Sequence, residues 1–317
     1  MRRFDVFNGD ADGICALHQL RLAQPIASEL VTGIKRDTEL LQRVDAGQGD
    51  EVTVLDISID RNREALTRLL ERGARVRWFD HHHGGKVPAH IGLIATIDVS
   101  HLVCTSILVD RHLAGRFRRW AIVAAFGDNL PGPARALAAT LHLGDAAVAT
   151  LRELGTDLNY GACGETEADV LQPPLETYRL VSRHRDPLGL RDEPFMARLA
   201  QSRLSDLANL EGIAPCQTDP FADAWLLPDE PWSRRVMSTF ANRLANADPS
   251  RAHAVLVPNA RGGYAVSVRT PAGGQDAARF CQRFPTGGGR ARAAGLQDLP
   301  GDRLAEFLDA LAVAWRR

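Results

Sequence analysis

The chain has 317 residues, 45% of them hydrophobic and 24% charged, with a formal net charge of -1. That length exceeds one compact core of ordinary size, so two domains are expected, and the near-neutral charge excludes a general DNA-coating protein while leaving room for a small anionic ligand. No apolar stretch approaches the roughly 20 residues needed to cross a bilayer, no signal-peptide core precedes the first strand, and the five cysteines (Cys15, Cys104, Cys163, Cys216, Cys281) lack C-x-x-C spacing, so a cytoplasmic protein with buried thiols and no structural zinc is expected.

The opening "RRFDVF" alternates apolar and polar residues as a strand does, and "ICALHQLRLA" sets Ile14, Leu17, Leu20 and Leu22 roughly along one helical face. Between them, "NGDADG" places Asn8, Asp10, Asp12 and Gly13 at the positions of a calcium-binding helix-loop-helix loop. That reading fails twice: its last ligand position holds Gln19 instead of a bidentate glutamate, and a strand precedes it where a helix is required. The carboxylates therefore lie on a strand-to-helix turn, where open α/β sheets place ligands.

Further strands are predicted at "LVTGI", "EVTVLDISI", "ARVRWFDHHH" and "LIATID", with a helix at "NREALTRLLERG" that stops at its glycine. Helices then dominate, in "TSILVDRHLA", "RRWAIVAAFGD", "PARALAATLHLG" and "AAVATLREL". This order predicts an α/β domain over residues 1–185, a mostly parallel sheet flanked by helices and joined by right-handed crossovers. From 186 to 231, Pro187, Pro194, Pro215, Pro220, Pro228 and Pro231 interrupt short helical pieces, which reads as a connector. A smaller C-terminal α/β domain is predicted over 232–317, with helices at "RRVMSTFANRLA", "DAARFCQRF" and "LAEFLDALAVAW" and strands at "AHAVLVP" and "GYAVSVRT".

Three more places in the first domain repeat the pattern of a carboxylate at the end of a strand. Asp56 closes "VTVLD", Asp80 and His81 to His83 close "RVRWFD", and Asp128 closes the apolar run "AIVAAFGD". Brought to one sheet edge, Asp10, Asp12, Asp56, His81 and Asp128 offer hard oxygens plus an imidazole, a mixture suited to manganese or magnesium and poor for structural zinc. Like charges packed this closely repel unless cations neutralise them, and a metal pair about 3.5 to 4 Å apart is the usual solution, one that also activates a water for attack on phosphorus. In the second domain, the glycines Gly287, Gly288 and Gly289, flanked by Arg290 and Arg292 and followed by Ala-Ala-Gly, allow close backbone approach to a ligand. With Arg269 they make a candidate anion-binding wall. Trp78, Tyr264 and Phe284 read as packing residues as readily as base-stacking ones.

In this order "GDADG", "VLD", "FDHHH" and "GDN" resemble the four motifs of the DHH phosphoesterase family, and "RFPTGGGRARAAG" is similar to the glycine signature of that family's associated C-terminal domain. The resemblance runs from Phe7 to Gly295 and implies an active-site cleft between the two domains. It implies that Asp10 binds one metal ion, that Asp12, His81 and Asp128 bind another, and that Asp56 bridges them. Asp80 would orient its histidine neighbours, and His82 would face the substrate phosphate. Two departures stand out. Many members carry a metal-binding histidine where this chain has Val6, and others carry an aspartate where it has Asn8, which leaves one ion short of ligands unless Asn8, water or a histidine such as His101 supplies them. Arg290 replaces a usual histidine, keeping a phosphate donor and adding a permanent charge.

The function implied is that of a nanoRNase-like, manganese-dependent phosphodiesterase, with magnesium as the second choice. It would hydrolyse very short oligoribonucleotides or dinucleotides to mononucleotides by water activated between two divalent ions. The partners expected are a short RNA or dinucleotide substrate, no long duplex and no membrane; a homodimer is allowed. Two alternatives are carried: a phosphatase acting on a bisphosphorylated nucleotide or pyrophosphate, and a nucleotide-binding sensor that cleaves weakly.

Overall fold

The computed structural model describes residues 1–315. They divide into two compact units, one of residues 1–162 and 166–201, the other of 163–165 and 202–315. In the first, β-branched and aromatic runs make β1 (Arg3–Asn8), followed by α1 (Ala11–Ala23), β2 (Glu29–Gly33), β3 (Glu51–Leu55), α2 (Ile59–Glu71), β4 (Arg75–Asp80) and β5 (Leu93–Ile97). The strands form a five-stranded, all-parallel sheet in the order β2-β1-β3-β4-β5. Helices α3 (Thr105–His112), α4 (Arg118–Gly127), α5 (Pro131–Thr140), α6 (Asp145–Gly161), α7 (Pro174–Val181) and α8 (Pro194–Ala208) follow. Every strand predicted for this domain is present.

One consequence of parallel pairing governs the site. The register pairs Asn8 with Gly33, Phe7 with Leu55 and Leu55 with Phe79, so β1, β2, β3 and β4 all end level at one edge. Whatever follows those strands in sequence converges there. A buried layer of Phe4, Val6, Val52, Val54, Val76 and Trp78 beneath the edge fixes the strands, and each fully buried side chain of this kind is worth about 1.5–3 kcal/mol. Trp78 is a packing residue: its ring is wholly buried and its indole N–H donates to Ile57 O at 2.9 Å.

Helix α1 departs from the amphipathic expectation, since Ala11 to Leu20 are buried all round. It is the central helix of its layer, against β1 on one side and α3, α4 and α6 on others. Gly13 permits this packing, because a Cβ there would stand 2.1 Å from Asn8 O.

The second unit is built on a mixed six-stranded sheet ordered β10-β11-β9-β8-β7-β6. In chain order it contains β6 (Gln217–Thr218), β7 (Ala222–Leu226), α9 (Pro231–Ala247), β8 (Ala252–Pro258), β9 (Tyr264–Arg269), α10 (Ala277–Cys281), β10 (Gly287–Gly289), β11 (Ala293–Leu299) and α11 (Leu304–Ala314). Only β7 and β8 pair in parallel. Phe280, Phe284, Phe307 and Trp315 stack at centroid distances of 5.0 to 5.9 Å in its core, so Phe284 is a packing residue too.

The stretch 186–231, read from sequence as a connector, is built of structured elements. Pro187, Pro194 and Pro231 open a 3₁₀ helix, α8 and α9, where proline's missing N–H costs nothing, and β6 and β7 join the second sheet. The division between the units falls inside α8. Cys15, Cys104, Cys163 and Cys281 are buried as expected of structural thiols, whereas Cys216 is exposed. Among the described residues, no helix is long and apolar enough to cross a membrane.

Candidate metal centre

Asp12, Asp56, His81 and Asp128 meet at the carboxyl edge of the parallel sheet. From His81 Nε2 the nearest oxygens of Asp56, Asp128 and Asp12 stand at 3.3, 3.5 and 3.7 Å, and all four side chains are at most 7% exposed. Asp12 lies in the first turn of α1, Asp56 follows β3, and His81 follows β4. Asp56 adopts the left-handed conformation, φ 59°, an uncommon geometry for a non-glycine residue. Asp128 arrives differently from the strand-end pattern read in sequence: it is the C-cap of α4. Gly127 beside it lets that helix end press on α1, since a Cβ there would stand 2.6 Å from the Ala11 Cβ.

The tautomer of His81 follows from its other nitrogen. Nδ1 lies 2.8 Å from Val103 O, and a carbonyl can only accept, so Nδ1 carries the proton and Nε2 turns toward the three carboxylates. Facing those oxygens, Nε2 either carries a proton or shares a cation with them, since a bare lone pair there would be repulsive. His82, a third exposed, has Nδ1 2.7 Å from Asp80 Oδ1, while Asp80 is fully buried and its Oδ2 has no hydrogen-bond partner. Asp80 therefore orients His82, whereas Val103 orients His81.

Sequence reasoning missed the support beneath this cluster. The N–H groups of Thr105 and Ser106, the first turn of α3, each donate to Asp12 at 2.7 Å, and the Thr105 hydroxyl donates to Asp56 Oδ1 at 3.2 Å. A Thr-Ser pair opening a helix downstream of the histidines was the available signal. Burial, then the charge of Asp56, pushes the Asp12 carboxyl up to about 8 despite the pull of His81. Burial and the Asp10 charge likewise push Asp56 well above the usual carboxylate range.

Asp10, whose charge is felt by Asp12 and Asp56, has a cation of its own beside it. As the N-cap of α1, its Oδ1 accepts from Asp12 N and Gly13 N, and its Oδ2 lies 2.6 Å from the Lys35 ammonium. Burial works to raise its pKa, but Lys35 outweighs it and the net shift is downward. Lys35 follows β2, the strand beside β1, and was not anticipated. Asn8 is engaged in the turn: its Oδ1 accepts from Asp10 N at 3.1 Å and its Nδ2 donates to Lys35 O at 3.2 Å. Val6 is wholly buried among apolar side chains, and His101 is exposed on the loop before α3.

In the second unit, the glycine run is strand β10, paired with β11 through Gly287 to Leu296, Gly288 to Gly295 and Gly289 to Ala294. The glycines serve close packing there. A Cβ on Gly287 would stand 1.9 Å from Cys281 O, and one on Gly289, at φ 137°, 2.4 Å from the Ala294 Cα. Arg290 N donates to Ala293 O at 2.8 Å, closing the hairpin. The Arg269 side chain is committed within its own unit, to Asn242 Oδ1 at 2.7 Å, Ser267 Oγ at 2.9 Å and Val268 O at 3.0 Å.

The first group of residues fits a divalent cation. Asp12, His81 and Asp128, and likewise Asp56, His81 and His82, each offer ligand atoms within 4.8 Å of one another. Atoms that share an ion at about 2.1 Å lie roughly 3.0 to 3.6 Å apart, close to the spacing observed around His81. Of the residues expected to complete a second ion, Asp10 is paired through Oδ2 with the Lys35 ammonium, so an ion there would have to compete with that cation, and Asn8 Oδ1 already accepts from Asp10 N.

Solved structures share this fold. RecJ from Thermus thermophilus in complex with Mn2+ is similar over 98% of this chain, with 20% identity and a TM-score of 0.64. This chain spans 51% of the length of that one. The pGpG-specific phosphodiesterase PggH from Vibrio cholerae is similar over 98% of both chains, with 13% identity and a TM-score of 0.56. An exopolyphosphatase-related protein from Bacteroides fragilis matches over 98% of this chain and 90% of its own, with 13% identity and a TM-score of 0.52. No family model and no curated sequence matches. The fold is that of the DHH proteins, a parallel α/β domain followed by a unit with a mixed sheet.

Proposed function

We propose that this protein is a divalent-metal-dependent phosphodiesterase that hydrolyses very short oligoribonucleotides or dinucleotides to mononucleotides. The observation that carries the proposal is the convergence of the carboxylates of Asp12, Asp56 and Asp128 on Nε2 of His81. A divalent ion held there would offset the carboxylate charge, acidify a water and polarise a phosphoryl oxygen. Oxygen donors with one or two imidazoles suit Mn2+ better than Mg2+, which prefers oxygen throughout.

The chain's own groups divide the remaining work. His82, held by Asp80 at Nδ1 and a third exposed, is placed to donate from Nε2 to a non-bridging phosphate oxygen as charge develops. Thr105 and Ser106 hold Asp12 and Asp56 in place, which keeps the ligand geometry preorganised. In the second unit, Arg290 beside the glycine strand is the candidate anion-binding residue. A small substrate is the reading in keeping with the match to the pGpG-specific phosphodiesterase over 98% of both chains.

The test is a product-resolved assay with Mn2+ on a panel of dinucleotides, longer oligoribonucleotides, adenosine bisphosphate and pyrophosphate. Release of mononucleotides with rates that fall as the oligomer lengthens is expected. Phosphate release from the bisphosphate or pyrophosphate alone would replace this reading with a phosphatase, and tight dinucleotide binding without cleavage in any divalent ion would replace it with a sensor.

A further inference from the structure

We propose that the ammonium group of Lys35 stands where a second divalent ion would bind, so that this centre works with one metal ion and one fixed organic cation. The inference rests on the metal-centre reading above and deepens it. Lys35 Nζ lies 2.6 Å from Asp10 Oδ2 and 2.5 Å from Asn159 Oδ1, between α1 and α6. Asp10 is 5% exposed and Lys35 29%, so the pair is partly buried, with the carboxylate end shielded from solvent. An ammonium has three donors and a compact charge, and here it binds two side-chain oxygens that a hard cation would also choose.

The surroundings hold the lysine in that position. Asn8 Nδ2 donates to the Lys35 backbone carbonyl, while Asn8 Oδ1 accepts from Asp10 N, so one side chain ties the lysine's backbone to the aspartate's turn. The level ending of β1 and β2, with Asn8 opposite Gly33, sets the two segments side by side. Asp10 Oδ1 is taken by the first N–H groups of α1. Four residues before Asp10, the strand presents Val6, a wholly buried apolar side chain without any ligand atom. An ion at Asp10 would therefore have to displace Lys35 and would find no imidazole at position 6. The chemical consequence is asymmetric: a divalent ion on the Asp12 side can acidify water, whereas an ammonium on the Asp10 side can only neutralise charge and donate hydrogen bonds.

The experiment counts ions and does not depend on turnover. The full-length protein is stripped with a chelator and titrated with Mn2+, following stoichiometry by calorimetry and by elemental analysis of the dialysed protein, and spin coupling by electron paramagnetic resonance. One Mn2+ per chain, with the resolved hyperfine pattern of an isolated ion, is expected for the wild type. Lys35→Ala, checked for folding by circular dichroism, is expected to take up a second, weaker equivalent and to show the broadened signal of a coupled pair. Lys35→Gln, which keeps a hydrogen bond and removes the charge, should do the same. Two coupled ions in the wild type, or one ion in both variants, would overturn the assignment. Failure of the wild type to bind any ion would instead remove the metal-centre reading on which it rests.

Discussion

Two regions of this molecule carry sequence motifs, and the structure explains them in opposite ways. In the glycine hairpin of the second unit, packing alone accounts for the residues: Gly287 and Gly289 are where a side chain would collide with Cys281 and Ala294. At the acidic centre of the first unit, packing accounts for very little. Asp12 and Asp56 are buried beside one another and beside Asp128 at a cost in electrostatic energy that only a bound cation or a proton offsets. A motif residue explained by contacts says little about ligands, whereas several carboxylates buried against one another point to one.

The contrast can be broken most sharply at the acidic centre. Asp56→Ala or His81→Ala is expected to lower metal-dependent hydrolysis by at least about 1,000-fold, matching the several kcal/mol a bound ion supplies, with circular dichroism unchanged. Undiminished turnover in both purified variants would make the cluster a structural one. His82→Ala should retain the ion and lose about 100-fold in kcat, the usual effect of removing one donor to developing charge. A change confined to KM would assign His82 to ground-state binding instead.

In the glycine hairpin the expected effect is on stability. Gly289→Ala should cost the second unit about 2 kcal/mol, from the positive φ and the collision with Ala294, read as a lower urea midpoint. A neutral result would free that glycine for a role toward ligand.

The smallest effect is one of pH. Burial and the neighbouring Asp56 charge raise Asp12 from its ordinary 3.8 to about 8 in the folded protein, so below 3.8 its contribution to stability is fully present, and it is lost as pH rises toward 8. Chelator-treated protein should therefore melt a few degrees lower at pH 8.5 than at pH 6, and the loss should vanish when Mn2+ is added. Identical melting curves with and without the ion at both pH values would contradict a cation-dependent centre.

Much of the first unit was legible because its signals are local. Strand alternation, the glycine stop after α2 and the placement of carboxylates after β1, β3 and β4 are properties of short segments. The proline-rich stretch was misread because proline marks a helix start as well as a break, and only the chain around Pro194 and Pro231 decides between them. The hairpin of β10 and β11 was hidden because glycine has low strand propensity and its pairing partner lies across a turn of charged residues.

The sequence by itself determined which side chains could form a metal centre, since Asp10, Asp12, Asp56, His81 and Asp128 announce themselves by chemistry and by their position at element ends. Tertiary structure alone decided which of them gather around one histidine. Asp12, Asp56 and Asp128 surround His81, whereas Asp10 is claimed by a lysine 25 residues away, because two parallel strands end level and deliver Lys35 to the same edge. Charge pairing depends on distance in space, and no local pattern in the chain encodes that distance.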